Sequence, residues 1–169
     1  KMRMGYNLRT VLQNCRDLKA AGFNDLVSVN YSFNVIDETF DTIRQTIAYH
    51  RELEQIFGRD KVEPAIFFIG LQPHTHLEQY AFDKTILNRD YDPMSLMPWT
   101  AKKLLWNPEP LGSFFGKVCL EAWRQNSNDF GREVMKILEE RLGVAPLEAA
   151  LSAPIVANKR HKKQPVLIK

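Results

Sequence analysis

The chain has 169 residues, of which 44% are hydrophobic and 25% are charged, and its formal net charge is +3. These values are ordinary for one folded domain with a hydrophobic core, so they argue against a disordered or fibrous protein. Acidic and basic residues are interleaved, so no nucleic-acid partner is expected, and the one basic run, residues 159 to 163, is interpreted as a solvated tail.

The chain begins with a predicted helix and strand. Apolar residues recur at three- and four-residue steps over residues 7 to 21, which predicts an amphipathic helix, with Gly22 as its C-terminal stop. Strict alternation of apolar and polar residues over residues 26 to 34 then predicts a strand with one apolar and one polar face.

A second helix and a second strand follow. Helical spacing returns over residues 37 to 57, with Asp37 as the predicted N-cap, and His50 is expected at the surface of this helix. Residues 64 to 71 are nearly all apolar, which predicts a strand covered on both faces. Because the crossover between the strands is long, the two strands are expected to be parallel neighbours.

The second half of the chain is predicted to be mainly helical. Short helices are expected over residues 76 to 84, 113 to 126 and 128 to 142, and residues 151 to 169 are predicted to form a basic tail. The proline-rich stretch of residues 90 to 112, which carries Trp99 and Trp106, is interpreted as an ordered lid. The predicted organisation is therefore three parts, residues 1–89, 90–150 and 151–169.

The two cysteines, Cys15 and Cys119, show neither metal-ligand spacing nor a disulfide framework, which favours a reduced, cytoplasmic setting. No apolar run approaches the roughly 18 residues of a membrane span, and the first residues lack the apolar stretch of a signal peptide. The chain starts with Lys1 rather than methionine, which suggests that residues are missing upstream.

The polar face of the first strand needs an explanation, because a buried polar group without a partner costs about 1–3 kcal/mol. Its members are Ser28, Asn30, Ser32 and Asn34. The face could be solvated on an edge strand, could belong to an internal hydrogen-bond network, or could line a barrel that holds a polar ligand. Gly70 and Gln72 also make the end of the second strand polar and open, which favours the ligand-lined barrel.

Two segments resemble the fifth and sixth strand units of radical S-adenosylmethionine barrels. The first runs from Leu-Lys-Ala-Ala-Gly-Phe (residues 18 to 23) through the strand to Glu38-Thr39, where the family typically has Gly-x-Pro-Gly-Glu-Thr. The second, from Phe67 to Leu77, is similar to the sixth strand and its Pro-Gly-Thr-x-Leu turn. The resemblance covers residues 7 to 88 and implies an α/β fold, the C-terminal strands and helices of a partial (β/α) TIM-like barrel, followed by a mainly helical region.

Five residues are expected to bind the cofactor, three of them (Asn30, Ser32 and Gly70) from the resemblance and two (Asn34 and Gln72) from the polar faces of the strands. Asn30 falls where a relative places a carboxylate toward the ribose of S-adenosylmethionine, and an amide can also hydrogen-bond a hydroxyl. Ser32 and Gly70 match positions near adenine, and Asn34 and Gln72 are assigned to the same side of the barrel. Glu38 is interpreted mainly as a helix-start residue, through its charge at the positive end of the helix.

The chain also departs from the family pattern. The loop of three closely spaced cysteines that ligates a 4Fe–4S cluster is absent, and residues 34 to 37 replace Gly-x-Pro-Gly. The first four strands of the barrel are absent as well. The resemblance therefore implies a C-terminal portion whose partner is an upstream cluster-binding half, in the same protein or in a separate chain.

Other residues leave several interpretations open. His74 and His76, predicted to lie on one side of an extended turn, could contact substrate or cofactor, could belong to turn structure, or could form a metal pair, although no further ligands accompany them. Trp99 and Trp106 could stack on a flat substrate in the lid, although tryptophan is more often a core residue.

The leading functional hypothesis is a part of a radical S-adenosylmethionine enzyme that supplies a portion of the adenosine pocket and the substrate lid. A cobalamin cofactor is a further expectation from the resemblance. The alternative is a non-catalytic α/β binding module that pairs with another chain.

Overall fold

The structure is a computed structural model that describes residues 7 to 87 and 105 to 152. In chain order the elements of these ranges are α1 (Leu8–Ala20), β1 (Val27–Phe33), α2 (Phe40–Phe57), β2 (Val62–Phe68), α3 (His76–Asp83), α4 (Leu111–Asn126), α5 (Phe130–Leu142) and α6 (Leu147–Ser152). Short 3-10 turns lie at Arg59–Lys61 and Ser127–Asp129. The predicted mixed α/β class is confirmed, and the strand and helix order matches the prediction through α5.

The N-terminus of α2 differs from the prediction. Thr39, not Asp37, is the N-cap: its side chain accepts a hydrogen bond from the Thr42 N–H, and the Thr42 hydroxyl accepts one from the Thr39 N–H. The cap must have an extended backbone directly before the first helical residue, which Thr39 has at φ −136°. Asp37 instead lies in the preceding turn with a left-handed φ of 66°.

β1 and β2 form a parallel pair whose register runs from Val27 opposite Val62 to Phe33 opposite Phe68. The predicted parallel pairing is therefore confirmed. α2 connects the two strands, because parallel strands cannot be joined by a tight turn.

The described helices cover one face of this two-stranded sheet. On the covered face Tyr31 and Phe33 pack against residues of α2, α4 and α5. The open face carries Ser28, Asn30, Ser32, Glu63, Ala65 and Phe67. Phe67 is 50% exposed, so the prediction that the second strand is covered on both faces is wrong within the described residues.

The helices that follow residue 110 complete the core of the sheet. Phe115 on α4 and Leu138 on α5 are fully buried in the same cluster as Phe33. The N-terminus of α5 comes so close to β2 that a Cβ on Gly131 would lie 1.7 Å from the Pro64 carbonyl oxygen. In the described residues the predicted region 90–150 thus shares its core with residues 1–89.

Two further clusters extend the core toward the two ends of the strands. Leu12 of α1 packs with Leu53 and Phe57 of α2 near the start of β2. Leu71, Ala81, Leu87 and Trp106 form the other cluster, which follows the carboxyl end of β2. Among the helices of the described ranges, none combines the length and the hydropathy needed to cross a membrane.

Candidate functional site

A cleft of about 240 Å³ lies at the carboxyl end of β1. Three parts of the chain form its walls: the turn of residues 34 to 38, the side chains of Tyr80, Lys84 and Ile86, and the segment of Trp106 with residues 108 to 111. The carboxyl ends of parallel strands are where ligands bind in α/β folds, because the loops there can vary without disturbing the sheet. The cleft is therefore the candidate functional site of the described residues.

The turn between β1 and α2 forms the first wall. Asn34 and Asp37 both have left-handed backbone conformations, at φ 55° and 66°. The Glu38 N–H donates to the Val35 carbonyl oxygen at 3.0 Å, and the Glu38 carboxylate accepts a hydrogen bond from the Asn34 N–H. Asparagine and aspartate tolerate this conformation better than other residues with a side chain. These two hydrogen bonds close the short turn between the end of β1 and the start of α2.

The Asn34 side chain also holds the segment that forms the third wall of the cleft. Its side chain is 2% exposed, and its Nδ2 donates to Asn107 Oδ1 at 2.6 Å and to the Pro108 carbonyl oxygen at 3.0 Å. The prediction that Asn34 shares the polar face of Asn30 and Ser32 is wrong, because Asn34 follows the last strand residue and its left-handed φ breaks the alternation. Asn34 thus joins the first wall of the cleft, the turn of residues 34 to 38, to the third wall.

The Glu38 carboxyl group lies in a largely buried position on the cleft wall. Burial raises its pKa to about 7, although the hydrogen bonds from the Asn34 and Val35 backbone act in the opposite direction. A carboxyl group with a pKa near neutrality can hold or release a proton at physiological pH. In the structure the Glu38 carboxylate closes the turn by accepting the Asn34 N–H, and its expected action through charge at the helix start stays a prediction.

Trp106 belongs to the third wall of the cleft. Its backbone N–H donates to the Ile69 carbonyl oxygen at 2.8 Å, and its ring lies 5.6 Å from that of Tyr80. The ring is 3% exposed, and its Nε1 has no hydrogen-bond partner among the residues that the structure describes. Trp106 is therefore a core residue that also lines the cleft, whereas Trp99, the other predicted lid residue, lies outside the described residues.

The turn after β2 is exposed and differs from the prediction. His74 has a left-handed φ of 63° and its N–H donates to the Glu78 carboxylate at 2.7 Å. Thr75 caps α3, and His76 is the first helical residue. The expectation of an extended turn at His74 to His76 is therefore wrong. In residues 7 to 87 and 105 to 152 no three potential metal ligands of the His, Cys, Asp and Glu types come together.

The remaining predicted site residues lie outside the cleft. Asn30 and Ser32 are exposed on the open face of the sheet. Gly70 forms an isolated antiparallel bridge with Leu105, and no atom of the described residues, its chain neighbours apart, lies within 4 Å of the position that a Cβ would take. Gln72 is exposed, and its carbonyl oxygen accepts a hydrogen bond from the Thr75 hydroxyl at 2.7 Å. The structure thus separates Asn34 and Trp106 from the other predicted residues.

His50 is buried, so its expected surface position is wrong. Its Nδ1 lies 3.1 Å from the Tyr31 hydroxyl, and its Nε2 lies 3.6 Å from the Glu54 carboxylate. Burial lowers the pKa of His50, while the charge of Glu54 raises it by a smaller amount. The signal was present in the sequence, because His50 falls three residues after Ile47 on the apolar stripe of α2.

The fold and the cleft together define an α/β chain with a βαβ unit and a site at the end of its first strand. No family model matches the chain, and no curated protein and no solved structure matches it significantly. The geometry of the described residues therefore carries the functional argument.

Proposed function

We propose that this chain is the C-terminal portion of a radical S-adenosylmethionine enzyme and supplies part of the pocket for the adenosine group. The backbone conformation at the turns is the observation that carries the proposal. In the family patterns that the sequence resembles, glycines stand at the positions of residues 34, 37 and 74. These are Asn34, Asp37 and His74, and all three have left-handed φ angles, of 55°, 66° and 63°.

Left-handed conformations favour glycine, since a Cβ costs about 1–2 kcal/mol there. Three turn positions have therefore kept the geometry that the pattern's glycines suit, although none of them is glycine. Of the described residues other than glycine, only Thr85 also has a positive φ. The coincidence supports the resemblance at the level of backbone geometry, which the residue types alone do not provide.

The one-sided covering of the sheet is a second argument. In a (β/α) barrel the helices lie outside and the inward strand faces meet bound ligands near the carboxyl ends of the strands. The exposed Asn30 amide and Ser32 hydroxyl could hydrogen-bond the ribose hydroxyls. The open space at Gly70 would let a flat base approach the backbone.

The residues of this chain do not fit the 4Fe–4S cluster itself. Ligation of such a cluster takes several thiolates, and the chain has two cysteines, Cys15 on α1 and Cys119 on α4. The cluster and the upstream half of the barrel would belong to another part of the protein or to a separate chain. The role of this chain would be to bind and orient S-adenosylmethionine and to exclude water from it. The cobalamin cofactor stays a prediction from the resemblance.

A non-catalytic module that pairs with another chain is the second candidate. Within the described residues β1 and β2 pair only with each other, so each strand has one unpaired edge. Unpaired strand edges are templates for pairing with further strands. The two candidates differ in whether the open face binds S-adenosylmethionine.

The discriminating experiment is a titration of S-adenosylmethionine into the chain, followed by amide ¹H–¹⁵N spectra. We expect saturable shifts at residues 30 to 32 and 70 to 72. Asn30→Ala should raise the dissociation constant for S-adenosylmethionine about 2- to 10-fold, as expected for the loss of one hydrogen bond. Ser28→Ala is the matched control, because Ser28 lies on the same open face but further from the carboxyl end.

A folded chain whose spectrum does not change with S-adenosylmethionine would refute the adenosine pocket and leave the pairing module. For the complete gene product, reconstitution with iron and sulfide under anaerobic conditions should develop the absorbance of a four-iron cluster. Reductant and S-adenosylmethionine should then yield 5′-deoxyadenosine.

A further inference from the structure

Three side chains form a buried chain of polar contacts between α2 and β1. The Tyr31 hydroxyl of β1 lies 3.1 Å from His50 Nδ1, and His50 Nε2 lies 3.6 Å from the Glu54 carboxylate. Tyr31 is 7% exposed and His50 is 4% exposed, and the Glu54 side chain is 10% exposed. The imidazole ring therefore has a polar group beside each nitrogen and is almost closed off from solvent.

These contacts indicate where the protons lie when His50 is neutral. A carboxylate beside Nε2 favours the tautomer with the proton on Nε2, so Nδ1 keeps its lone pair and accepts the hydrogen bond of the Tyr31 O–H. Burial raises the pKa of Tyr31, with further contributions from Tyr49 and Glu54, so its hydroxyl keeps its proton. A second proton on the ring would bind to Nδ1, and the Tyr31 O–H would have to turn away from it.

The charges around His50 disfavour that second proton. Four basic and two acidic side chains from α2, α5 and the turn after α2 line the small cavity beside the ring: Arg51, Arg59, Arg132 and Lys136, and Glu54 and Glu139. The Glu54 carboxylate lies 2.9 Å from Arg51 and 3.7 Å from Arg59, so these cations offset its negative charge. Burial is the largest of the causes that act on the pKa of His50, and it lowers this pKa from its ordinary value of 6.5.

We propose that Tyr31, His50 and Glu54 form a pH-sensitive latch, which holds α2 against β1 while His50 is neutral and loosens when the imidazole takes up a proton from solvent. The latch goes beyond the proposed function, because the Tyr31 side chain lies on the covered face of the sheet and those of Asn30 and Ser32 lie on the open face. The two proposals can therefore fail separately.

The direction of the pH effect follows from the lowered pKa of His50. Since the folded-state pKa lies below 6.5, the folded state binds fewer protons than the unfolded state in the range between the two values. The stabilising contribution of neutral His50 is therefore full above 6.5, and it is lost as the pH falls from 6.5 toward the folded-state value. Acidification should thus loosen the latch.

The imidazole signals of His50 test the latch in the wild-type chain. Sequential assignment of the ¹³C,¹⁵N-labelled chain identifies these signals, so no substitution is needed. We expect long-range ¹H–¹⁵N spectra to place the proton of neutral His50 on Nε2, and we expect its titration midpoint to lie below 6.5. A midpoint at or above 6.5, or a neutral ring with its proton on Nδ1, would overturn the proposal.

Two variants separate the contacts of the latch. Tyr31→Phe removes the O–H that stabilises the neutral ring and should raise the His50 midpoint, whereas Glu54→Gln removes the carboxylate that favours the charged ring and should lower it. Glu63→Gln, on the open face, is the matched control and should leave the midpoint unchanged. Shifts of the first two variants in the same direction, or no shift in either, would contradict the latch.

Amide hydrogen exchange of β1, corrected for the intrinsic rate at each pH, measures the loosening itself. His50→Gln is the reference, because its amide can accept the Tyr31 hydroxyl but takes up no proton, and the comparison cancels the effect of other groups such as Glu38. Between about pH 7.5 and about pH 5.5, the protection of β1 relative to this reference should fall about 3- to 10-fold, since an opened His50 is mostly protonated at the lower pH. A ratio that does not change with pH would overturn the latch.

Discussion

Replacing Asn34 tests the construction of the cleft most directly. The Asn34 side chain is almost fully buried and donates to Asn107 Oδ1 and to the Pro108 carbonyl oxygen. Its backbone has a φ of 55°, which a residue with a Cβ adopts at a cost. Asn34→Ala removes both hydrogen bonds and leaves an alanine in the left-handed conformation. Asn34→Gly removes the hydrogen bonds alone.

The expected magnitudes follow from these two effects. Each hydrogen bond contributes about 1 kcal/mol net, so the loss of both costs about 2 kcal/mol. The left-handed backbone adds about 1 kcal/mol for alanine, since asparagine tolerates this conformation better. We therefore expect Asn34→Ala to lower the free energy of unfolding by about 3 kcal/mol and Asn34→Gly to lower it by about 2 kcal/mol.

Urea unfolding followed by tryptophan fluorescence measures both values. A double-mutant cycle with Asn107→Ala isolates the contact between the two side chains, and its coupling energy should be about 1 kcal/mol. A loss below about 0.5 kcal/mol for Asn34→Ala, or a coupling energy of zero, would refute the view that Asn34 joins the walls of the cleft.

Two further predictions concern packing and pH. Gly131→Ala should lower the free energy of unfolding by at least about 2 kcal/mol, because its Cβ would meet the Pro64 carbonyl oxygen. Gly116→Ala should raise it by about 0.5–1 kcal/mol, because among the described residues no atom outside its own helix backbone and chain neighbours lies within 4 Å of the Cβ. Glu38→Gln should gain about 1–3 kcal/mol of stability relative to wild type between pH 5 and pH 8, since the folded-state pKa of Glu38 is raised to about 7.

The sign of the Glu38 effect follows from proton binding. Between its ordinary value of 4.5 and about 7, the folded state binds more protons than the unfolded state, so this group's stabilising contribution is full below 4.5 and is lost as the pH rises through 7. Glutamine has no such dependence. Unfolding in urea at both pH values measures the difference, with Glu63→Gln on the open face as the control. A Glu38→Gln difference that is the same at pH 5 and pH 8 would contradict the prediction. Equal free energies of unfolding for Gly131→Ala and Gly116→Ala would contradict the packing prediction.

Local pattern predicts the elements of this chain well, because helix and strand periodicities depend on neighbouring residues. The alternation around β1 and the stripe of α2 place both elements within a few residues of their observed ends. The sidedness of β2 could not be predicted, since an apolar run does not say which face another layer covers. The error at Asn34 has a different cause, because one left-handed residue ends the alternation that placed it beside Ser32.

The cleft itself depends on contacts that no local pattern contains. Asn34 and Asn107 are 73 positions apart, and each is an ordinary polar residue in its own segment. Trp106 could be recognised as a candidate because it lies in a proline-rich stretch, but its burial against Leu71 and Ala81 depends on contacts distant in sequence. The sequence therefore predicts which residues are unusual, and the tertiary contacts decide which of them meet.

The left-handed turn at Asn34 divides the carboxyl end of β1 into two chemically different sides. Up to Ser32 the polar side chains belong to the open face, where amide and hydroxyl groups suit a polar ligand. From Asn34 onward the chain lines a cleft whose walls carry both apolar and charged residues, among them Ile36, Glu38 and Lys84. Variants on the two sides should therefore act differently: Asn30→Ala, on the exposed face, should leave the free energy of unfolding close to that of the wild type, whereas Asn34→Ala should lower it because two buried hydrogen bonds are lost.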